Sequence, residues 1–492
     1  MKTNDSQNSS VLQSAEVYTK SSIVEFFAVI GLSALLKDCS IKSQCGYKSH
    51  TIFISFFILP FVCLNIFLSI VTANTPVVSK DAVYDYLKCT SANWGKLLLE
   101  IGRKLILFCT SLNGKRTKTV LVIDDTSYYK NSSKRLELLA KKFDHAKGVF
   151  YKGFEVLNFG WTDGFSFIPL FFNLVSTSNK KCRINEASKK VDPRSNAAKR
   201  RNQAVQEKPN LVLDFIEKVK KLGLKVSAVT CDSWFAIPKL IIGISKYYPV
   251  VCMMKVDNTR YIYNDKFHTI EQIYWSLKKK PGRAKIACSA LVTVLYQHDN
   301  IVEKQDAKIV FVRFKKSNWA PILCSNPNFS DEDIVKLYGM RWSIETFHQD
   351  VKSHLNFAKG SQSTDFDAQV ADTAFTYIRY AYLAYMRRKQ ADTRSICELS
   401  RHCCAELEKI SLEAAMDNLV SDALAALQAS DQSQKYVNSA GELCFSIKTI
   451  AQAFNAQKEK NIDQENLSIR QKKYNDLGRK LNTSYEEAIS RL

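Results

Sequence analysis

The chain has 492 residues, and its 70 Lys and Arg against 48 Asp and Glu give a formal net charge of +22. Hydrophobic residues make up 46% of the sequence, which excludes a protein that is disordered throughout. At roughly 150 residues per domain, the length predicts about three domains. The positive charge predicts a polyanionic partner, either nucleic acid or an acidic membrane surface.

The N-terminal quarter combines a polar arm with helical patterns. Residues 1–20 are polar and lack an apolar segment, which predicts a disordered arm and excludes a secretory signal. Apolar spacing predicts helices over 21–110, one of them capped by Ser79. Residues 51–79 contain no charged residue, and 51–71 are long enough to span a bilayer. Pro60 in the middle favours a buried helical hairpin, so we expect no membrane contact.

The central part of the chain has the pattern of a mixed α/β sheet. A short apolar run ending at Asp124 predicts a buried strand, and two β-like runs joined by Asp163-Gly164 predict a hairpin. A basic loop (179–209), an amphipathic helix (211–223) and a strand ending at Asp232 follow. A helix and another strand complete the sheet, which helices should cover.

Short strand-like pieces separated by charged turns predict a β-rich insertion over 256–330. A single helix is then predicted from its cap Ser330 through residue 355, and another over 365–389. The remaining residues are predicted to be mostly helical.

Three carboxylates are placed where they could share a metal ion. Asp124 and Asp232 are each predicted at the carboxyl end of a strand, and Glu345 within the helix that follows the insertion. Carboxylate oxygens suit Mg²⁺, and two such ions can promote phosphodiester displacement. The alternative is that these acids are turn or cap residues. Asp125 is a second candidate beside Asp124, on the opposite face of the strand.

Basic and aromatic residues surround Glu345 on its predicted helix. Tyr338, Arg341, Glu345 and Lys352 are spaced by 3, 4 and 7 residues, and fall within roughly 60° of one face, with His348 at its margin. Arg and Lys hold phosphate oxygens, so this stripe suits a metal-dependent phosphate site. The alternative is a solvated charged face.

The spacing Tyr338-x2-Arg341-x3-Glu345-x6-Lys352 resembles the Y-R-E-K signature of cut-and-paste bacterial insertion-sequence transposases of the DDE superfamily. The IDDT segment at 123–126 and the TCDSWF segment at 230–235 also resemble that family. The resemblance implies a ribonuclease H-like mixed sheet with a β-rich insertion and helical N- and C-terminal domains. The boundaries that we expect are 1–115 for DNA-end binding, 116–255 for the first part of the core, 256–330 for the insertion, 331–392 for the Glu-bearing helices and 393–492 for the C-terminal region.

The resemblance also implies roles for these residues. Asp124, Asp232 and Glu345 would bind Mg²⁺ or Mn²⁺ as two ions, and the family's D-x-[ST] spacing before Thr126 favours Asp124 over Asp125. Tyr338, Arg341 and Lys352 would hold the transposon end. Water would nick that end, and the freed 3′-OH would lead to strand transfer into target DNA.

The implied partners are the terminal inverted repeats and target DNA, both double-stranded, bound by a synaptic homodimer at the bacterial nucleoid. The 14 cysteines contain no C-x-x-C pair, which predicts free thiols in a reducing compartment such as the cytoplasm. Alternatives are a catalytically decayed or domesticated DNA-binding relative, a host ribonuclease H-like nuclease, and a membrane-anchored basic protein.

Further DNA contacts are expected from the basic loop and from tryptophan. The loop cations suit contacts with the phosphate backbone, the alternative being a solvated loop. Trp319 and Trp275 are candidates for stacking on a flipped base, although strand packing is the alternative that we favour. The loop cations in question are Lys180, Lys181, Arg183, Lys189, Lys190, Arg194, Lys199, Arg200 and Arg201.

Overall fold

The computed structural model of the protein describes residues 18–43, 46–62, 78–114, 116–281, 284–299, 301–313 and 319–405. Three sequence predictions fall wholly or partly outside these ranges. They are the disordered arm up to residue 17, the second half of the uncharged stretch (63–77) and the C-terminal region from 406 onward.

The N-terminal part is helical, as the apolar spacing predicts. Ser79 caps a helix, because its hydroxyl accepts a hydrogen bond from Ala82 N at 3.3 Å. The predicted helix over 79–110 is two helices, and the second starts where Asn93 Oδ1 accepts from Lys96 N at 2.9 Å. The helices are α1 (Tyr18–Ile30), α2 (Leu32–Asp38), α3 (Ser49–Ile58), α4 (Lys80–Leu87) and α5 (Trp94–Ser111).

The described strands form one mixed sheet, in the order β2-β3-β1-β5-β6-β11-β10-β9-β7-β8, with β4 also paired to β3. Strands β1, β5 and β6 are parallel, whereas β11 returns antiparallel beside β6. The strands of 256–330 therefore extend the sheet of the central part. The strands are β1 (Val120–Tyr129), β2 (Ala140–Asp144), β3 (Val149–Thr162), β4 (Phe167–Val175), β5 (Ala228–Cys231), β6 (Val250–Met253), β7 (Arg260–Tyr263), β8 (Lys266–Thr269), β9 (Ile286–His298), β10 (Ile301–Arg313) and β11 (Trp319–Cys324).

Helices connect and cover these strands, as the mixed α/β prediction requires. The basic loop contains a helix that the sequence analysis missed, and the helix predicted from Ser330 is two helices. The helices are α6 (Asn196–Ala204), α7 (Lys208–Lys221), α8 (Pro238–Ser245), α9 (Ile270–Ser276), α10 (Asp331–Gly339), α11 (Trp342–His354) and α12 (Phe366–Lys389). Among the described residues no two cysteines form a disulfide, in agreement with the prediction of free thiols.

Helix α12 is the centre of the helical packing, and residues 366–386 are buried on all sides. The first half of the uncharged stretch packs against this helix. Phe53 is fully buried, and the centre of its ring lies 4.5 Å from the centre of the Phe375 ring. The buried Arg379 donates to the carbonyls of Phe56 and Phe57 at 2.6 and 2.9 Å, at the C-terminal end of α3. Residues 51–58 are thus a buried helix, as expected. No helix in the described ranges combines the length and apolarity needed to cross a bilayer.

Arg200 and Arg201 tie the basic loop to the start of α12, which corrects their predicted role in DNA contact. Arg200 donates to Asp367 Oδ1 from Nε (2.9 Å) and Nη2 (2.6 Å). Arg201 donates from Nη1 to Asp367 Oδ2 and from Nε and Nη2 to Glu137, at 2.7 Å in each case. These donors are occupied inside the protein. We call this group of four residues the arginine clamp.

We predict that Asp367→Asn lowers the free energy of unfolding by about 3 kcal/mol, because Asp367 is 1% exposed and its loss leaves two arginines short of a buried partner. Chemical denaturation of the purified protein measures the change. The matched control is Glu303→Gln, which removes a surface ion pair with Lys246 and should cost within about 0.5 kcal/mol. Equal effects of the two substitutions would contradict the structural role of the clamp.

Candidate active site

Strand β1 continues well beyond the point at which the sequence pattern places its end. Its parallel pairing with β5 stops at Ile123, opposite Cys231. Residues 124–129 continue as a strand because they pair antiparallel with β3, and Asp124 lies opposite Asn158. The prediction that Asp124 ends its strand is therefore wrong, while Asp232 does follow the last residue of β5 directly.

Asp124 is a buried carboxylate in a crowded acidic setting. Burial, together with the nearby charges of Asp125 and Asp232, raises its pKa to about 7. Arg341 opposes this effect, with Nη1 at 3.5 Å from Asp124 Oδ2. The other carboxylate oxygen accepts a hydrogen bond from the adjacent Asp125 N at 2.8 Å. An additional cation at this carboxylate would therefore be favourable.

The residues of the predicted stripe gather around Arg341, although the helix that carries them is interrupted. Helix α10 ends at Gly339, a residue of low helix propensity, and α11 begins at Trp342. Arg341 Nη2 donates to Glu345 Oε1, and the guanidinium carbon lies 5.6 Å from the centre of the Tyr338 ring. Burial and the charge of Asp232 raise the pKa of Tyr338 to about 12, which places Tyr338 near that aspartate.

Arg341 thus lies between Asp124 and Glu345 and contacts both carboxylates. Its Nε is buried and has no hydrogen-bond partner among the residues that the structure describes. Within the described ranges no three Asp, Glu, His or Cys residues are arranged to hold a metal ion. Asp232 forms no ion pair with any described residue. One arginine thus partly neutralises a set of carboxylates, and its Nε–H donor remains available.

Lys352 reaches the same strand two turns further along α11. Its Nζ donates to Thr126 Oγ1, on the side chain two residues after Asp124. Burial lowers the pKa of Lys352, while Asp144 and Asp124 act in the opposite direction. Lys352 is thus a cation at the edge of the acidic group, as the Tyr338-to-Lys352 stripe predicts.

Asp125 is held away from Asp124 by Lys208, a residue that the sequence analysis did not select. Lys208 Nζ contacts Asp125 Oδ2, and it lies 2.9 Å from Glu155 Oε2. Lys142 joins this network at 3.1 Å from Glu155. In the sequence Lys208 is one more cation at the end of a basic loop, so nothing distinguishes it there. The network occupies Asp125 and leaves Asp124 as the carboxylate that contacts Arg341.

A cleft of about 590 Å³ is lined by Asp124, Asp125, Glu155, Lys208, Asp232 and Lys352, whereas Arg341 and Glu345 are not part of its lining. Trp234, two residues after Asp232, is 59% exposed at this cleft, with Lys255 Nζ only 3.6 Å from the centre of its ring. The ring of His145 lies 5.1 Å from that of Trp234. The cleft thus presents Asp124, Asp125 and Asp232 beside exposed aromatic rings and cations. We call it the catalytic cleft, after the role that we propose for it.

The structure separates the other predicted DNA contacts into exposed and occupied side chains. Lys180 and Lys181 are exposed. Arg183 is occupied by Glu186 at 2.7 Å and by the carbonyl of Thr177. Trp319 stacks on Tyr274 of helix α9 with 4.2 Å between ring centres and meets Phe311 of β10 at 5.4 Å, so it packs against its neighbours, which favours the packing alternative. Trp275 is 65% exposed.

His348 lies on α11 and contacts Asn158 of the neighbouring strand β3. Its Nε2 lies 2.9 Å from Asn158 Nδ2, and Tyr377 donates to Asn158 Oδ1. Burial, followed by the charges of Lys352 and Arg341, lowers the pKa of His348 to about 3, so the ring is neutral in the folded protein at neutral pH. His348 therefore fixes α11 against Asn158, the residue paired with Asp124.

Residues 73–309 match the family model described as DDE superfamily endonuclease. The match supports the DDE nuclease and transposase superfamily and indicates an enzyme that cleaves nucleic acid, with DNA as the implied substrate. It includes Asp124 and Asp232 and ends before Tyr338. No curated protein matches the chain.

We predict that His348 contributes a decline in the free energy of unfolding as the pH falls below about 6.5, opposed by Asp124, whose raised pKa favours the folded protein as the pH falls. The unfolded chain binds a proton at His348 near that pH, whereas the folded protein resists protonation until about pH 3. His348→Gln should flatten this decline by up to about 1.4 kcal/mol per pH unit, as measured by denaturation across the acid range. The control His298→Gln alters a 71% exposed ring and should leave the decline unchanged. An identical pH dependence in wild type and H348Q would disprove the assignment.

Proposed function

We propose that this protein is a DNA transposase that cuts and rejoins DNA at the ends of its own insertion sequence. The observation that carries the proposal is the contact of Arg341 with both Asp124 and Glu345. This contact joins the Y-R-E-K segment, which lies outside the family match, to a carboxylate inside it. Carboxylates and phosphate-binding cations then share one site, as phosphodiester transfer requires.

The donor set suits a hard divalent cation. Asp124, Asp232 and Glu345 offer only carboxylate oxygens, which Mg²⁺ and Mn²⁺ prefer. Burial has raised the pKa of Asp124 to about 7, so its negative charge is poorly compensated by Arg341 alone. We propose that these three residues hold the metal, as two ions, once Arg341 no longer occupies the place between Asp124 and Glu345. When bound, the ions stabilise charge on the attacking and leaving oxygens.

In this proposal the cations of the site bind the substrate. The unpartnered Nε of Arg341 supports a phosphate contact, because a bound oxygen would complete its hydrogen bonding. Arg341 then exchanges carboxylate contacts for the phosphate, while Lys352 and Tyr338 fix the DNA beside it. Lys180 and Lys181 are exposed and suit contacts with the backbone further away.

Asp124 rather than Asp125 is the proposed ligand. Asp125 is already paired with Lys208, whereas Asp124 contacts the arginine that also binds Glu345. Strand alternation places the two carboxylates on opposite faces of β1, so one residue cannot simply replace the other.

We predict that Asp124→Asn, Asp232→Asn and Glu345→Gln each lower the rate of metal-dependent DNA cleavage by on the order of 10³-fold or more, since several kcal/mol of transition-state stabilisation are lost. Cleavage of a labelled DNA fragment in Mg²⁺ or Mn²⁺, compared with EDTA, measures this. The matched variant Asp125→Asn should retain activity within about tenfold, because Glu155 still pairs with Lys208. Undiminished cleavage in EDTA would refute the proposal.

The proposed substrates are the terminal inverted repeats of the element and target DNA, bound in the cytoplasm by a synaptic homodimer. Experiments can distinguish two other functions from this one. A decayed or domesticated relative would bind DNA without metal-dependent cleavage, and a host nuclease of the same fold would cleave without requiring an end sequence. Imperfect inverted repeats in the genomic DNA that flanks the coding sequence would support the transposase and supply its substrate.

A further inference from the structure

A second cleft lies beside the catalytic cleft and shares one wall with it. Its volume is about 570 Å³, and the segments 129–136 and 358–364 line it. Tyr129 belongs to the lining of both clefts. The Tyr129 hydroxyl bonds to Asp144, and Lys147 Nζ lies 4.7 Å from the centre of its ring, so this shared ridge is fixed in place. An extended ligand that leaves the catalytic cleft over Tyr129 enters the second cleft.

The second cleft is basic and contains no acidic side chain in its lining. Four cations line it, together with hydroxyl groups from several serines and a threonine. The catalytic cleft differs, because Asp124, Asp125, Asp144, Glu155 and Asp232 line it along with its lysines. We call the second site the basic cleft; its cations are Lys130, Lys134, Arg135 and Lys359.

The backbone of the basic cleft is anchored, while its outer side chains are available. Asn185 Nδ2 donates to the carbonyls of Lys134 and Leu136 at 3.0 and 2.7 Å. Glu137 N donates to Thr364 O at 3.0 Å, which ties the two lining segments together. Lys134 and Arg135 are exposed and form no ion pair with any described residue. The cleft thus holds positive charges close together at fixed positions. A bound polyanion would offset the electrostatic repulsion between them.

We infer that the basic cleft binds the phosphate backbone of the same DNA duplex whose scissile phosphate lies in the catalytic cleft. This inference rests on the proposed function and adds a second contact site to it. Several cations spread along a cleft fit a row of phosphates better than one small anion. Hydroxyl side chains are further donors to phosphate oxygens. The contact supplies affinity and position, without reading base sequence.

The test is equilibrium binding of a fluorescently labelled, mixed-sequence duplex, long enough to reach both clefts, at a series of salt concentrations in EDTA. Omitting the metal separates binding from cleavage. The variant combines Lys134→Gln, Arg135→Gln and Lys359→Gln, all at exposed side chains. Lys130 is left intact, because its Nζ supports the fold through Ser361 O at 3.1 Å.

The matched control removes three exposed lysines from the opposite end of β5, as Lys220→Gln, Lys221→Gln and Lys225→Gln. Helix α7 begins at Lys208, which contacts Asp125, and ends at Lys221, so these lysines lie away from both clefts. Both triple variants lose the same net charge. Thermal unfolding of each verifies that the fold is retained.

We expect the cleft variant to bind more weakly, and the slope of log K against log salt to become shallower by about 3, near 0.9 for each lost phosphate contact. The control should keep the wild-type slope. If the wild type binds the duplex and the cleft variant matches it in affinity and slope, the basic cleft is refuted and the proposed function stands. Equal losses in both triple variants also refute it. If the wild type binds no duplex, both proposals fail.

Discussion

The site depends on a difference in length between two neighbouring strands. Strand β5 ends at Cys231, while β1 continues to Tyr129 with only β3 beside it. The polar half of β1 thus has an unpaired flank, and Asp232 enters it as the chain leaves β5. Because the long antiparallel pairing with β3 supports the extension, Asp124 is held by a strand rather than by a loop. A carboxylate on such a backbone keeps its position when charges around it change.

Successive side chains of β1 point to opposite faces, so Asp124 and Asp125 belong to two groups of acidic residues that different cations neutralise. On one side Lys208 bridges Asp125 and Glu155. On the other, Arg341 contacts Asp124 and Glu345 less completely, since one distance is 3.5 Å and its Nε has no partner. The first group is a closed structural network. The second has an unfilled donor and a carboxylate whose pKa burial has raised to about 7. This imbalance, rather than the number of acids, distinguishes a reactive site from a salt-bridge network.

Sequence patterns predict this site to the extent that local rules govern it. The apolar run into β1, Asp232 after β5 and the cap Ser330 follow from periodicity and capping. Local patterns do not predict the polar half of β1, because this segment is a strand through its pairing with β3, which is distant in the sequence. The basic loop predicts DNA contacts for Arg200 and Arg201 because their acidic partners are likewise distant in the sequence. Glu137 and Asp367 lie 64 and 166 residues from Arg201 in the sequence. A count of local charges therefore predicts two surface cations, whereas the fold buries them in the arginine clamp.

The distribution of charge explains why a protein of this kind needs its large positive excess. Phosphate approaching Asp124, Asp125 and Asp232 meets like charge, so the catalytic cleft without metal is a poor anion site despite its lysines. Affinity for DNA must then come from cations outside that cleft. Cations without acidic neighbours provide it best, since no internal ion pair has to be broken. Lys134 and Arg135 meet that condition, whereas Arg201 does not. The proposed function thus assigns chemistry and affinity to adjacent clefts with opposite charge requirements, and Tyr129 lines both of them.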